Sequence, residues 1–252
     1  MAVPTKPNET LAKATLPNPL QQAIEATFGQ GIVGCALVGG TALAGYYAGH
    51  RESDDMDLFT ADVVAQAMTV AAVKSLVGIG VVFSDERNSP SYYHALARLS
   101  GHNFSIDVVL DSNIHNIGAF LQTKGGIQLA SLETLLMMKI ATLVSRCSEK
   151  DLFDLEWLTE HYRNPDIAEW IALGQKVDGG ANAESMLISL SAAKLRIEAC
   201  GFATKFSVSS GEVLKKISAF RSTLQNKLAT HLETYPPSTA ITSLLREIRR
   251  LK

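Results

Sequence analysis

The chain has 252 residues, 46% hydrophobic and 19% charged, with a formal net charge of −2. That length carries one large domain or two small ones with a sizeable core, and that composition excludes a disordered chain. Cys35, Cys147 and Cys200 are odd in number and widely spaced, which excludes a disulfide framework or zinc site and points to a reducing cytoplasm.

The opening MAVPTKPNET lacks the apolar segment of a signal peptide, and residues 1–17, Pro-rich and polar, read as a loose arm. Leu20, Ile24 and Phe28 repeat every four residues and predict a helix over 19–28. Residues 31–49 carry no charge and must be weighed as a membrane span. Their six glycines and the acidic cluster that follows fit better a buried strand at 35–38, a glycine turn and a short helix at 41–47. No membrane contact is expected. A strand follows at 56–59, then an Ala- and Val-rich helix at 61–76 with Asp62 in its first turn. Strands are predicted at 80–83, 92–99 and 104–110, separated by Asn88-Ser89-Pro90 and Gly101-His102-Asn103.

From Ser131 the pattern is helical: one helix through Ile140, a second over 150–162, then 181–199, 211–232 and 239–251. Strands first and helices later give an α+β fold, divided as an arm (1–17), an α/β domain (18–128) and a helical domain (129–252). Residues 1–189 hold 12 Lys and Arg against 21 Asp and Glu, a balance of −9; residues 190–252 hold 11 against 4, a balance of +7. The basic end reads equally as a site for a polyanion or as a solvated helix face.

The chemistry concentrates between Gly39 and Phe59. Strand alternation puts Asp55 and Asp57 on one face, with Met56 and Leu58 on the other. Adjacent carboxylates repel unless a cation or proton separates them, and Mg²⁺ takes carboxylate oxygens alongside substrate phosphates. The competing reading is plain surface charge. Gly39, Gly40 and Thr41 open a helix, where backbone N–H groups and a hydroxyl can meet phosphate, or can simply cap. Asp107 interrupts an apolar strand and is costly there unless paired, metal-bound or at a wet edge. Beside Asp55 and Asp57 it would suit two-metal phosphoryl transfer and activate the attacking hydroxyl. Lys139, with Leu135, Thr142 and Arg146, shares one helix face, and both cations could offset triphosphate charge or simply snorkel. Asp151 and Asp154, one turn apart, could pair with these cations or touch the nucleotide.

Two stretches together resemble a known family. Gly39-Gly40-Thr41-Ala42-Leu43, followed by His50-Arg51-x-Ser53-x-Asp55-Met56-Asp57-Leu58-Phe59, is similar to the signature of the AbiEii/AbiGii-type nucleotidyltransferases. These belong to the DNA polymerase β-like superfamily. The run from Lys139-Ile140-Ala141 through Arg146 to Lys150-Asp151-Leu152-Phe153-Asp154-Leu155 resembles that family's second block. The resemblance covers about residues 20–160. It implies a mixed sheet flanked by helices, then a helical region, and transfer of a nucleoside monophosphate from an NTP with release of pyrophosphate. Asp55 and Asp57 match the metal pair, and Lys139 and Asp154 the distal lysine and aspartate, with Asp151 as neighbour; Met56 replaces the usual Ile or Leu.

Many such proteins are toxins of toxin–antitoxin or phage-defence systems, and some modify tRNA 3′ ends. The expected acceptor is therefore RNA, perhaps tRNA, held partly by Lys215, Lys216, Arg246, Arg249 and Arg250, with an antitoxin as possible partner. The alternatives are a small-molecule or protein acceptor, and a non-catalytic nucleotide-binding module.

Overall fold

The computed structural model describes residues 5–236. The helix expected over 239–251, with Arg246, Arg249 and Arg250, lies outside the described residues. Seven strands form one mixed sheet in the order β3-β4-β5-β2-β1-β7-β6. The central strands are β1 (Cys35–Leu37), β2 (Asp55–Thr60) and β5 (His102–Leu110). Outside β5 lie β4 (Tyr92–Leu99) and β3 (Val82–Ser89); outside β1 lie β7 (Gln128–Ala130) and β6 (Phe120–Gln122). β2 pairs parallel with β5 and antiparallel with β1. The fold is α+β, a mixed sheet with flanking helices followed by a helical region, as expected.

Helix α1 (Glu9–Thr15) replaces the expected loose arm over those residues. Asn8 Oδ1 accepts from the N–H groups of Thr10 and Leu11, a cap that makes a seven-residue helix viable at the chain's beginning. Helix α2 (Asn18–Phe28) buries Leu20, Ile24 and Phe28, the predicted four-residue stripe. After β1 comes α3 (Gly39–Leu43), which widens into a π turn over Ala44–Ala48. Tyr47 in that turn donates to the Ala130 carbonyl at 3.0 Å. Helix α4 (Val63–Lys74), capped by Asp62, covers one face of the sheet. There Met56, Leu58 and Ile106 are fully buried, each worth about 1.5–3 kcal/mol.

β3 starts at Val82 rather than 80 and runs on to Ser89 through the residues expected to turn. Its charged outer half pairs with β4 across a bulge between Ser84 and Arg87, a form that edge strands take. The short helix α5 (Ile114–Ile117), β6 and β7 were not foreseen; three-residue strands carry no readable period.

The helical region holds α6 (Leu132–Ser145), α7 (Glu149–His161), α8 (Ile167–Gln175), α9 (Ala183–Ala192) and α10 (Ser210–Thr234). α9 stops at Ala192 instead of 199. The Glu149 carboxylate accepts from the Arg196 N–H at 2.8 Å, which draws the chain off the helix before a 3-10 stretch at Ile197–Phe206. The three cysteines are unpaired. No described helix is long and apolar enough to cross a membrane.

Candidate active site

β2 alternates half-buried Asp55, Asp57 and Phe59 with buried Met56, Leu58 and Thr60. The parallel register sets Asp57 opposite Asp107 and Asp55 opposite Ser105, so three carboxylates share one face of two paired strands. Ser105 Oγ donates to Asp55 Oδ1 at 2.8 Å. Lys150, on the first turn of α7, brings its Nζ to 3.9 Å from Asp55 Oδ2. Burial, reinforced by the negative charges of Asp55 and Asp107, pushes Asp57 up from 3.8 to about 6; Lys139 and Arg146 offset part of the rise.

Asp57 opens into a cleft of about 410 Å³ between the sheet and α6. Val38 and Gly39 line it from the sheet side, Leu135, Met138, Lys139 and Thr142 from α6, and Arg146, Val177 and Asp178 complete the lining. Charged and apolar side chains thus share the cleft. Gly39 has φ +68°, and a Cβ there would lie 2.1 Å from Asp57 Oδ2. Its glycine is required by the backbone and by the close approach of the carboxylate.

Behind the cleft is a buried ion cluster. Arg51, 1% exposed, donates Nε to Asp154 Oδ1 at 2.6 Å and Nη2 to Asp154 Oδ2 at 2.7 Å. Lys139 Nζ lies 2.7 Å from Asp154 Oδ2 and 2.8 Å from Asp151 Oδ1. His50 Nε2 lies 2.9 Å from Asp154 Oδ1. Burial alone would raise Asp154, but Arg51 and Lys139 hold it well below the usual carboxylate range. Asp151 is lowered in the same way, with burial outweighed by Lys139 and the Ser148 hydroxyl. Burial pushes His50 down, so its ring is neutral near pH 7. Arg51 and Lys139 thus balance Asp151 and Asp154, and Arg146 Nε adds a third cation 3.4 Å from Asp151 Oδ2.

The expected residues therefore fall into two groups. Gly39, Asp55, Asp57, Asp107, Lys139 and Arg146 lie on the carboxylate face or the cleft. Gly40, Thr41, Asp151 and Asp154 lie behind them. A Cβ on Gly40 would sit 2.3 Å from Arg51 Nη2, so this glycine makes room for the arginine. The Thr41 hydroxyl is fully buried, donates to the Asp55 carbonyl and lies 2.8 Å from Ser53 Oγ. It fixes the start of β2. Of the basic residues expected to hold an acceptor, Lys215 and Lys216 are both exposed, and Lys216 is engaged by Glu156 at 2.8 Å and Glu160 at 3.2 Å.

Four residues went without a role in the sequence. His50 and Arg51 stand in the quoted signature, but only the fold shows their partner. Tyr92 and His94 flank Asp107: the Tyr92 hydroxyl donates to Asp107 Oδ1, and His94 Nδ1 lies 2.9 Å from the same oxygen. The alternation of β4 was the available signal, since it puts both on the carboxylate face.

Residues 25–191 match the family described as "Nucleotidyl transferase AbiEii toxin, Type IV TA system". The chain belongs to this family. AbiEii membership makes it a nucleotidyltransferase of the toxin class. No curated protein matches the chain. Among solved structures it is similar to JHP933 from Helicobacter pylori, with 16% identity, a TM-score of 0.48, and coverage of 88% of this chain and 95% of that one. It is also similar to MenT4, nucleotidyltransferase toxin Rv2826c from Mycobacterium tuberculosis H37Rv, with 16% identity, a TM-score of 0.48, and coverage of 88% and 94%. Likeness at that level assigns no role to any residue of this AbiEii chain.

Proposed function

We propose that this AbiEii protein moves a nucleoside monophosphate from an NTP to the terminal hydroxyl of an RNA, with tRNA the expected class. It would do so in the cytoplasm with Mg²⁺, as a toxin answered by an antitoxin or as a phage-defence effector. The observation that carries the reading is the set of Asp55, Asp57 and Asp107 on one face of paired strands, with Asp57 and Lys139 both lining the same cleft.

The residues present fit a divalent cation. Burial, with the charges of Asp55 and Asp107 added, lifts Asp57 to about 6, and a cation would offset that cost. Among the described residues no group of three or more His, Cys, Asp or Glu is gathered closely enough to hold a metal ion on its own. Mg²⁺ needs only a few carboxylates and draws its other ligands from water and phosphate, so an open carboxylate face suits it. Asp55, Asp57 and Asp107 would hold it, and it would supply charge neutralisation at the phosphate oxygens and the leaving pyrophosphate.

The chain's own groups account for the rest. Tyr92 and His94 hold Asp107 by Oδ1, leaving Oδ2 to accept the proton of the attacking hydroxyl. Lys139 faces the cleft while anchored by Asp151 and Asp154, a fixed positive charge for the triphosphate. Arg146, with a 70% exposed side chain, is placed to add a second. Leu135, Met138 and Val177 offer an apolar wall to the base.

The test is incubation with labelled NTPs, Mg²⁺ and total RNA. Label should enter RNA with the wild type and not with Asp57→Ala. Label in a protein or low-mass fraction would move the acceptor to those classes. Absence of any transfer, or equal transfer by Asp57→Ala, refutes the reading.

A further inference from the structure

The carboxylate face does not end at Asp107. Register pairs Asp57 with Asp107, Asp107 with His94, and His94 with Arg87, a single row across β2, β5, β4 and β3. The neighbouring row runs through Phe59, Val109, Tyr92 and Ser89. On this side of β4, Tyr92, Leu96 and Arg98 stand exposed and His94 half-buried, while Tyr93, Ala95, Ala97 and Leu99 on the other side are core. Tyr92 and His94 are stacked, with ring centroids 6.4 Å apart and planes 17° from parallel. Charge along the row changes from carboxylate at β2 and β5 to guanidinium at β3. From β5 to β3 is roughly 10 Å at ordinary strand spacing.

Aromatic rings for bases beside cations for phosphates are how proteins hold single-stranded nucleic acid without reading its sequence. We infer that the exposed face of β3 and β4 is the platform on which the single-stranded end of the acceptor RNA lies. Tyr92 stacks on a base, Arg87 and Arg98 meet backbone phosphates, and the terminal hydroxyl reaches Asp107. The inference rests on the RNA-transfer reading above and adds the acceptor's place. It moves the contact nearest the chemistry from the basic helices to the sheet. Arg87 is bonded to Asp85 at 2.8 Å, but that pair is exposed, and exposed pairs yield readily to a phosphate.

The test uses the full chain and a fluorescent single-stranded RNA oligonucleotide, followed by anisotropy, with steady-state transfer to total tRNA in parallel. Tyr92→Ala should weaken RNA binding roughly 5- to 150-fold, the range for loss of one stacked base. It should raise KM for RNA and leave KM for NTP unchanged. Tyr92→Phe keeps the ring and should bind RNA like the wild type. Arg87→Ala should lower the slope of affinity against salt by about one released counterion. Wild-type RNA binding by both Tyr92→Ala and Arg87→Ala, while the wild type labels RNA, overturns the platform alone. Equal loss of binding in Tyr92→Phe and Tyr92→Ala also overturns it, because the hydroxyl acting through Asp107 would then be responsible. Failure of the wild type to label or bind any RNA overturns the platform together with the reading beneath it.

Discussion

Replacing Asp57 with asparagine should make the protein more stable and inactive at once. Asp57 rises from 3.8 to about 6 because it is buried beside Asp55 and Asp107. Each unit is worth 1.36 kcal/mol, so holding Asp57 charged in the folded state costs about 2–3 kcal/mol near pH 7.5. A raised carboxylate pKa makes this a penalty present in full above about 6. It shrinks as pH falls from 6 towards 3.8 and vanishes below, where both states bind the proton. Asp57→Asn should therefore raise Tm roughly 4–10 °C at pH 7.5 without divalent cation, and the gain should fall by about half at pH 5. The buried neutral His50 also destabilises the protein on acidification, but it does so in both proteins and cancels in the difference. Thermal or urea unfolding across pH 4–8, with nucleotidyl transfer assayed in parallel, measures both effects. A variant no more stable than wild type at pH 7.5, or a gain that does not change with pH, refutes the argument that burial and the charges of Asp55 and Asp107 make a charged Asp57 costly.

Mg²⁺ should narrow that gap by binding the folded wild type. At one hundred times Kd it adds about 2.7 kcal/mol, and Asp57→Asn should show a smaller rise in a metal titration followed by Tm. Gly39→Ala forces a left-handed backbone on alanine and places its Cβ 2.1 Å from Asp57 Oδ2. The backbone alone costs roughly 1–2 kcal/mol, and transfer activity should fall further than unfolding data explain. Asp154→Ala strands Arg51 in the core and should cost about 3–5 kcal/mol by urea unfolding. Asp151 and Asp154 are held below 3.8, so their contribution stands in full above that pH and is lost only as pH falls through their lower folded values. The wild type should accordingly show no loss from this cluster's carboxylates between pH 5 and 8.

What could be read in the sequence was what repeats locally. Met56 and Leu58 alternate with Asp55 and Asp57, and that alone separates Asp54 from the carboxylate pair. Asp107 stood out because it interrupts Phe104, Ile106 and Val108, all buried on the opposite face. The 1% exposure of Arg51 was not legible, because it depends on Asp154, 103 residues further on. Thr41 and Gly40 looked like a phosphate cradle because a buried brace and a ligand cradle use the same residue types. Helix α8 lies outside the predicted helices, although Asp166 caps it and Pro165 precedes it. β6 and β7 escaped because three residues cannot establish a period of two.

The clamp between Arg51 and Asp154 also orders events during synthesis. Arg51 sits four residues ahead of the carboxylate strand, and its partner is made 103 residues later. Until α7 leaves the ribosome, the arginine has no anion to settle against, and Lys139 lacks both of its anchors. A truncated or half-made chain therefore carries the carboxylates without the frame that aims them. The delay means that a chain cut short before α7 lacks the buried anions that pin Arg51 and Lys139.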